Sequence, residues 1–217
     1  MLCMTLLVAI AVAIWCGNIV AARQALDRLH EQSMAHSLEY HQLWADCLRM
    51  ILAAPAAGLP VIEPLQLSSD PLTSSQYLDI LGSLREELVS HDAIVRAENG
   101  RCGWCTPEIL RVKAERLIRE GAIGGADALL QTAMDTAQRQ GALAWELRTA
   151  MTLARLWSEQ GRVHEARDML SGVYDRFTEG FDTVDLKSAR QLLKQLSAHA
   201  RYSGSNSGFL PRSPGED

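Results

Sequence analysis

The alternation of apolar and polar residues that marks a β-strand is missing from this chain, which leaves helices as the only regular structure to expect. There is no G-x-x-x-x-G-K-[ST] loop, and no G-x-G-x-x-G turn follows a strand, so no phosphate-cradling element is present. Ser171-Gly172 lacks the nucleophile-elbow pattern. Positive charge is not in excess. Lys and Arg number 21 against 26 Asp and Glu, a net charge of −5, which argues against a strong phosphate-binding surface. Five cysteines at irregular spacing, an odd count, make no disulfide framework and suit a reducing cytoplasm. Charge is absent altogether from Met1 to Ala22.

What is there is a 217-residue chain, 47% hydrophobic and 22% charged, with the balance of a globular protein of one or two domains. Its clearest stretch is Gly141 to Phe181. Leu147, Ala150, Leu153, Ala154 and Trp157 share one helical face before Gly161. Val163, Ala166, Met169, Leu170 and Val173 share another after it. Two antiparallel helices hinged at Gly161 can bury those faces together, with glycine at the left-handed end of the first. The pattern recurs. Gly17 with Ala22, Gly121 with Ala126 and Gly161 with Ala166 each place a small residue five positions after the turn. Ala114 and Ala154 stand seven before the last two glycines, and Leu117 and Trp157 four before. Glycine reverses the chain, and alanine lets paired helices approach. The expected fold class is all-α: antiparallel helix hairpins stacked as a tetratricopeptide-like (TPR-like) α-solenoid, with a period of 40 from Gly121 to Gly161 against the usual ~34.

Four regions follow in order. Residues 1–53 hold N-terminal repeat helices, expected at 1–16, Ile19 to Ser33 and Ser37 to Leu52, with Leu26, Leu29 and Met34 on one side of the second. Residues 54–72 form a connector, because Pro55, Pro60, Pro64 and Pro71 forbid a continuous helix. Residues 73–200 hold the C-terminal repeats, from a helix near Ser74 with the stripe Tyr77, Leu78, Leu81, Leu84, Leu88 and Val89. A short helix is expected over Ser90 to Asn99. Thr106-Pro107-Glu108 starts the next, with a capping hydroxyl, Pro at the first helical position and an acid in the first turn. Thr183 starts the last, through Leu196, and 201–217 reads as a disordered tail. Residues 1–22 have a second reading as a secretory signal or membrane anchor. No basic residue precedes the apolar run and Gly17-Asn18 interrupts it, so a buried first helix is preferred and a membrane partner is not expected.

Candidate chemistry is sparse. Cys102 and Cys105 form a CxxC, which at a helix start suits a redox pair, but the strand and βαβ setting are missing. A zinc site needs two more ligands, and Cys47 and His91 are isolated. Packing of Trp104 and Cys105 at the helix start is the plainer reading. His30, His36 and His41 sit at offsets of six and five, which do not share a face, and Glu39 and His41 read as exposed polar positions. Arg111, Lys113, Arg116 and Arg119 are interleaved with Glu108, Glu115 and Glu120 as on a solvated helix, with Glu115 and Arg119 paired at i,i+4. Direct nucleic-acid binding is not expected there. Glu179, Asp182 and Asp185 read as capping residues. No catalytic, cofactor or metal residue is assigned, and no enzyme activity.

Three runs carry a family resemblance: WCTPEILRVKAERL (Trp104 to Leu117), QGALAWELRTAMTLARLWSEQGRVHEARDML (Gln140 to Leu170) and VYDRFTEGFDTVDLKSARQLL (Val173 to Leu193). They resemble the C-terminal TPR-like region of large bacterial multidomain regulators. In that family a P-loop ATPase module precedes the repeats, and a winged-helix DNA-binding domain or a class III nucleotide cyclase domain often leads. The resemblance covers most of Ile14 to Leu196. The ATPase, cyclase and DNA-binding parts have no counterpart in this sequence, so those activities do not carry over. What the resemblance implies is a non-enzymatic, cytoplasmic interaction or scaffold module for a protein or peptide partner. The chain is then expected to be a detached part of an ATPase-type transcriptional or signalling regulator, beginning inside a repeat helix. A solenoid cut there exposes apolar surface, so self-association through the N-terminal edge is expected.

Overall fold

The computed structural model describes residues 1–53 and 79–205, with side chains as far as Arg201. Among these residues every regular element is helical. The elements are α1 (Leu2–Trp15), α2 (Ile19–Ala35), α3 (Glu39–Ala53), α4 (residues 79–84) and α5 (His91–Glu98), then α6 (Thr106–Arg119), α7 (Ile123–Gln140), α8 (Leu143–Glu159), α9 (Val163–Tyr174) and α10 (Val184–Ser205). Short 3₁₀ turns cover Glu86–Leu88 and Gly103–Cys105. The connector expected at 54–72, together with Ser74, Tyr77, Leu78 and residues 206–217, lies outside the described residues.

Successive helices from α6 to α10 pack against each other in chain order. In addition α6 packs on α8, and α8 on α10, so those three stand side by side with α7 and α9 behind them. Small residues set the spacing. Ala114, Ala126, Ala154 and Ala166 are all wholly buried, at the positions the repeated pattern marks. The hinge at Gly161 has φ +81°, and the amides of Gly161 and Arg162 close the end of α8 on the carbonyls of Ser158 and Trp157. Leu130, Leu147, Leu170 and Leu196 fill the core between the rows. Each such leucine contributes about 1.5–3 kcal/mol on leaving water.

The first three helices build a second core. Cys3, Leu6 and Ile10 point inward from α1 at helical spacing and meet Leu26 and Leu29 of α2 and Trp44 and Leu48 of α3. Leu81 of α4 is buried in the same cluster. Asn18 caps α2, its side chain accepting from the Ala21 amide at 3.0 Å. The outer face of α1 stays exposed at Leu2, Met4, Val8 and Val12. At 14 residues, α1 is about 21 Å long, short of the ~30 Å of a bilayer core. No described helix is long and apolar enough to cross a membrane.

Several expectations need correction. Met34 is 55% exposed, because it stands about 140° around α2 from Leu29 and Ser33 takes the buried position instead. The stripe through Leu88 and Val89 is broken. Arg85 adopts φ −146°, ψ 123°, and Arg116 holds the following turn by donating to the carbonyls of Glu86 and Val89, both at 2.9 Å. Thr106 does not cap α6. It already has helical angles, and its hydroxyl donates back to the Gly103 carbonyl at 2.8 Å. Finally, α10 continues through Ser205 into the stretch read as a tail.

Candidate groove on the inner face

The row formed by α6, α8 and α10 gathers charge that looks ordinary on each helix alone. Glu108, Arg111 and Glu115 share one face of α6 at spacings of three and four. Arg111 donates to both Glu108 oxygens at 2.9 Å and to Glu115 at 2.5 Å. Thr152 of α8 also donates to Glu115, at 3.1 Å. Arg148 of α8 joins the rest. It donates to Asp185 of α10 at 2.6 Å, to Glu108 at 3.3 Å and to the Trp15 carbonyl of α1 at 3.3 Å. Its guanidinium also lies 5.1 Å from the Trp145 ring centre. Glu108 is 3% exposed. Burial drives its carboxyl up, but Arg111 and Arg148 outweigh that and hold it below its ordinary value. Glu115 goes the other way: burial lifts it, Arg111 offsets only part of the rise, and the neighbouring Glu86 carboxyl adds to it.

Three tryptophans meet beside this network. Trp15 lies edge-on to Trp104 and to Trp145, with centres 5.5 and 5.4 Å apart, and Trp104 stacks on Trp145 at 6.2 Å. The Trp15 indole donates to the Ser83 carbonyl at 3.1 Å. Beyond them opens a groove of about 610 Å³, walled by Trp15, Trp104, Trp145, Arg148, Arg176 and Phe177. Ala144 and Glu179 stand exposed on its rim. Arg176 is held at the edge by Glu146, which is buried and accepts from it at 2.6 Å. The arrangement offers aromatic faces and fixed charges of both signs. Its buried carboxylates are tied to guanidinium groups, which suits recognition better than proton transfer.

The residues singled out by sequence fall as follows. Cys102 and Cys105 are both buried, and the Cys102 thiol donates to the Ala93 carbonyl at 3.2 Å. Burial, with Asp79 nearby, pushes Cys102 up to about 12 and Cys105 higher still, the reverse of a reactive pair. Cys47 is pushed up to about 11 by burial and by Asp46. Cys16 is the exposed cysteine. With an aromatic disulfide reagent at mildly alkaline pH, one thiol per chain is therefore expected to react quickly. The other four should follow only on unfolding. Fast labelling of Cys105 in the native protein would restore the redox reading.

The histidines do not converge. Among the described residues no group of three or more His, Cys, Asp or Glu is arranged to hold a metal ion. His41 is half-buried, against the expectation of an exposed position, and packs edge-on to Tyr40. The basic run on α6 is engaged throughout. Lys113 pairs with Glu98, Arg116 with the two carbonyls named above, and Arg119 with Glu86 at 3.2 Å. The expected Glu115 and Arg119 pair is replaced by Glu115 with Arg111, since Arg111 shares the inner face and Arg119 reaches Glu86 instead. Asp185 binds Arg148 besides standing in the first turn of its helix. The tryptophan cluster and the Arg148 network were not anticipated. The one sequence hint was the i,i+3 and i,i+4 spacing of Glu108, Arg111 and Glu115. Comparison of the chain with protein-family models, with curated proteins and with solved structures finds no match.

Proposed function

We propose that this chain is a non-enzymatic TPR-like interaction module whose groove at the start of α8, bounded by the end of α1 and the turn between α9 and α10, docks an extended segment of a protein partner. The observation that carries this is the groove of about 610 Å³ lined by aromatic and charged side chains from α1, the turn before α6, α8, the turn after α9 and α10. Grooves of that size with a few fixed polar groups are the common form of a binding site. The recurring Gly and Ala positions support the stacked-hairpin reading, since each pair of helices repeats the same close approach. By its resemblance the module is the helical-repeat part of an ATPase-type cytoplasmic regulator. The rival reading, residues 1–22 as signal or anchor, is weakened by the burial of Cys3, Leu6 and Ile10 against the following helices.

The test uses the whole chain and a displayed peptide library. Peptides selected on it are expected to lose affinity by about tenfold or more, some 1.4 kcal/mol, on Ala144→Arg, which fills the rim from an exposed position. Asp135→Arg on α7, away from the groove, should leave them unchanged. Selected peptides indifferent to Ala144→Arg would sink the groove as the docking site.

A further inference from the structure

A second cavity lies on the other side of the tryptophan wall. It holds about 330 Å³, lies between α1, α3 and α4 and is open to solvent on one side. Met4, Leu7 and Ala11 line it from α1, Leu48 from α3, and Ile80 and Leu84 from α4. Trp15, Trp44 and Trp104 also line it, so among the described residues every lining side chain is apolar or tryptophan. Trp15 and Trp104 also wall the inner-face groove, and the Trp15 indole is already committed to the Ser83 carbonyl. Met4 and Val8, 44% and 61% exposed, mark the mouth.

Such a space is poorly suited to water. A buried water needs two to four polar partners, and among the described residues the lining offers no polar side-chain group besides indole N–H. Left empty, the lining atoms lose dispersion contacts. A carboxylate or ammonium would shed its hydration here with no counter-charge among the described lining residues. An engineered apolar cavity of about 150 Å³ stays dry and takes up benzene. A volume roughly twice that has room for on the order of twelve carbon atoms.

We propose that the cavity between α1, α3 and α4 is a binding site for one small uncharged apolar molecule, aromatic or aliphatic, that enters between Met4 and Val8. This goes beyond the peptide-docking reading and stands without it. Its occupant is fixed by three features: absence of charge, aromatic walls and limited volume. The face of a second chain is a different occupant, and the test separates the two.

Naphthalene serves as the probe, followed by methyl NMR of the full chain. The methyl signals of Met4, Leu48 and Leu84 are expected to shift together and to saturate at one equivalent. Val8→Trp should plug the mouth and raise the apparent dissociation constant at least tenfold. Because Val8 is largely exposed, the fold should survive the change. Val12→Trp, one turn on along the exposed face but outside the cavity lining, should bind naphthalene as the parent does. Shifts that never saturate overturn the proposal, as do equal affinities in the two variants. A dimer that Val8→Trp disrupts, with naphthalene leaving Leu48 and Leu84 unmoved, overturns it in favour of a second chain.

Discussion

Gly17→Ala is expected to destabilise the protein by about 2–5 kcal/mol, far more than most single-methyl additions. Two costs add. Gly17 has φ +74°, where a Cβ costs about 1–2 kcal/mol. A Cβ there would also overlap the Cγ2 of Val184 and approach its Cβ to 3.2 Å. Forcing extra volume into a packed contact adds about 1–3 kcal/mol. For a chain of this length the thermal midpoint should fall by roughly 5–15 °C. Gly121→Ala is the control, because Gly121 has φ +81° but nothing within 4 Å of the added carbon. It should pay the backbone cost alone. Val184 is 53% exposed, so Val184→Ala should cost little by itself and recover the collision share in the double variant. If Gly17→Ala and Gly121→Ala lose equal stability, the turn after α1 does not press on the start of α10.

The contrast between these glycines shows what a single sequence can carry. Both were legible as turns, and both are. Glycine at φ above zero is a local requirement, written in the residue itself. The alanines were legible for the same reason: a small residue at a fixed offset from a turn reports that a neighbouring helix must come close. Ala114, Ala126, Ala154 and Ala166 are all fully buried. That Gly17 must also admit Val184, 167 positions later, was not legible, since nothing near Gly17 names its neighbour. The same holds for the three tryptophans. Each is an ordinary helix-end aromatic until α1, the turn before α6 and the start of α8 are brought to one place. Charge misled in the other direction. Arg111 and Arg148 look like solvated positions on isolated helices, and helical spacing cannot tell an outer face from one that a neighbouring helix covers.

Arg148→Ala is the second large expected loss, about 3–5 kcal/mol, in the range for breaking a buried ion pair by removing one partner. Its side chain is 16% exposed, and among the described residues Arg148 is the guanidinium paired with Asp185, so that carboxylate loses this cation. The Trp15 carbonyl loses its donor from α8 at the same time, and Glu108 keeps Arg111 alone among the described residues. Arg148→Lys should recover little, because one ammonium cannot serve three oxygens that a planar fork reaches in different directions. Denaturant unfolding at neutral pH measures both. A loss below about 1 kcal/mol for Arg148→Ala would mean the network behaves as a solvent-screened surface cluster. The pH dependence gives an independent check. Glu108 sits below its ordinary value of 4.5 in the fold, so it binds fewer protons folded than unfolded. Its contribution is complete above that ordinary value and is lost as pH falls through the lower folded one. Without Arg148 the folded value moves back up, so acid unfolding of the variant should begin at higher pH than that of the parent. Glu115 has the opposite sign: raised in the fold, it contributes most at low pH and loses that contribution as pH rises through its folded value. Arg148 makes no direct contact with Glu115, whose cation is Arg111, so the larger change on removing Arg148 falls on Glu108. The difference between the two stability profiles therefore reads the groups that Arg148 contacts, Glu108 among them.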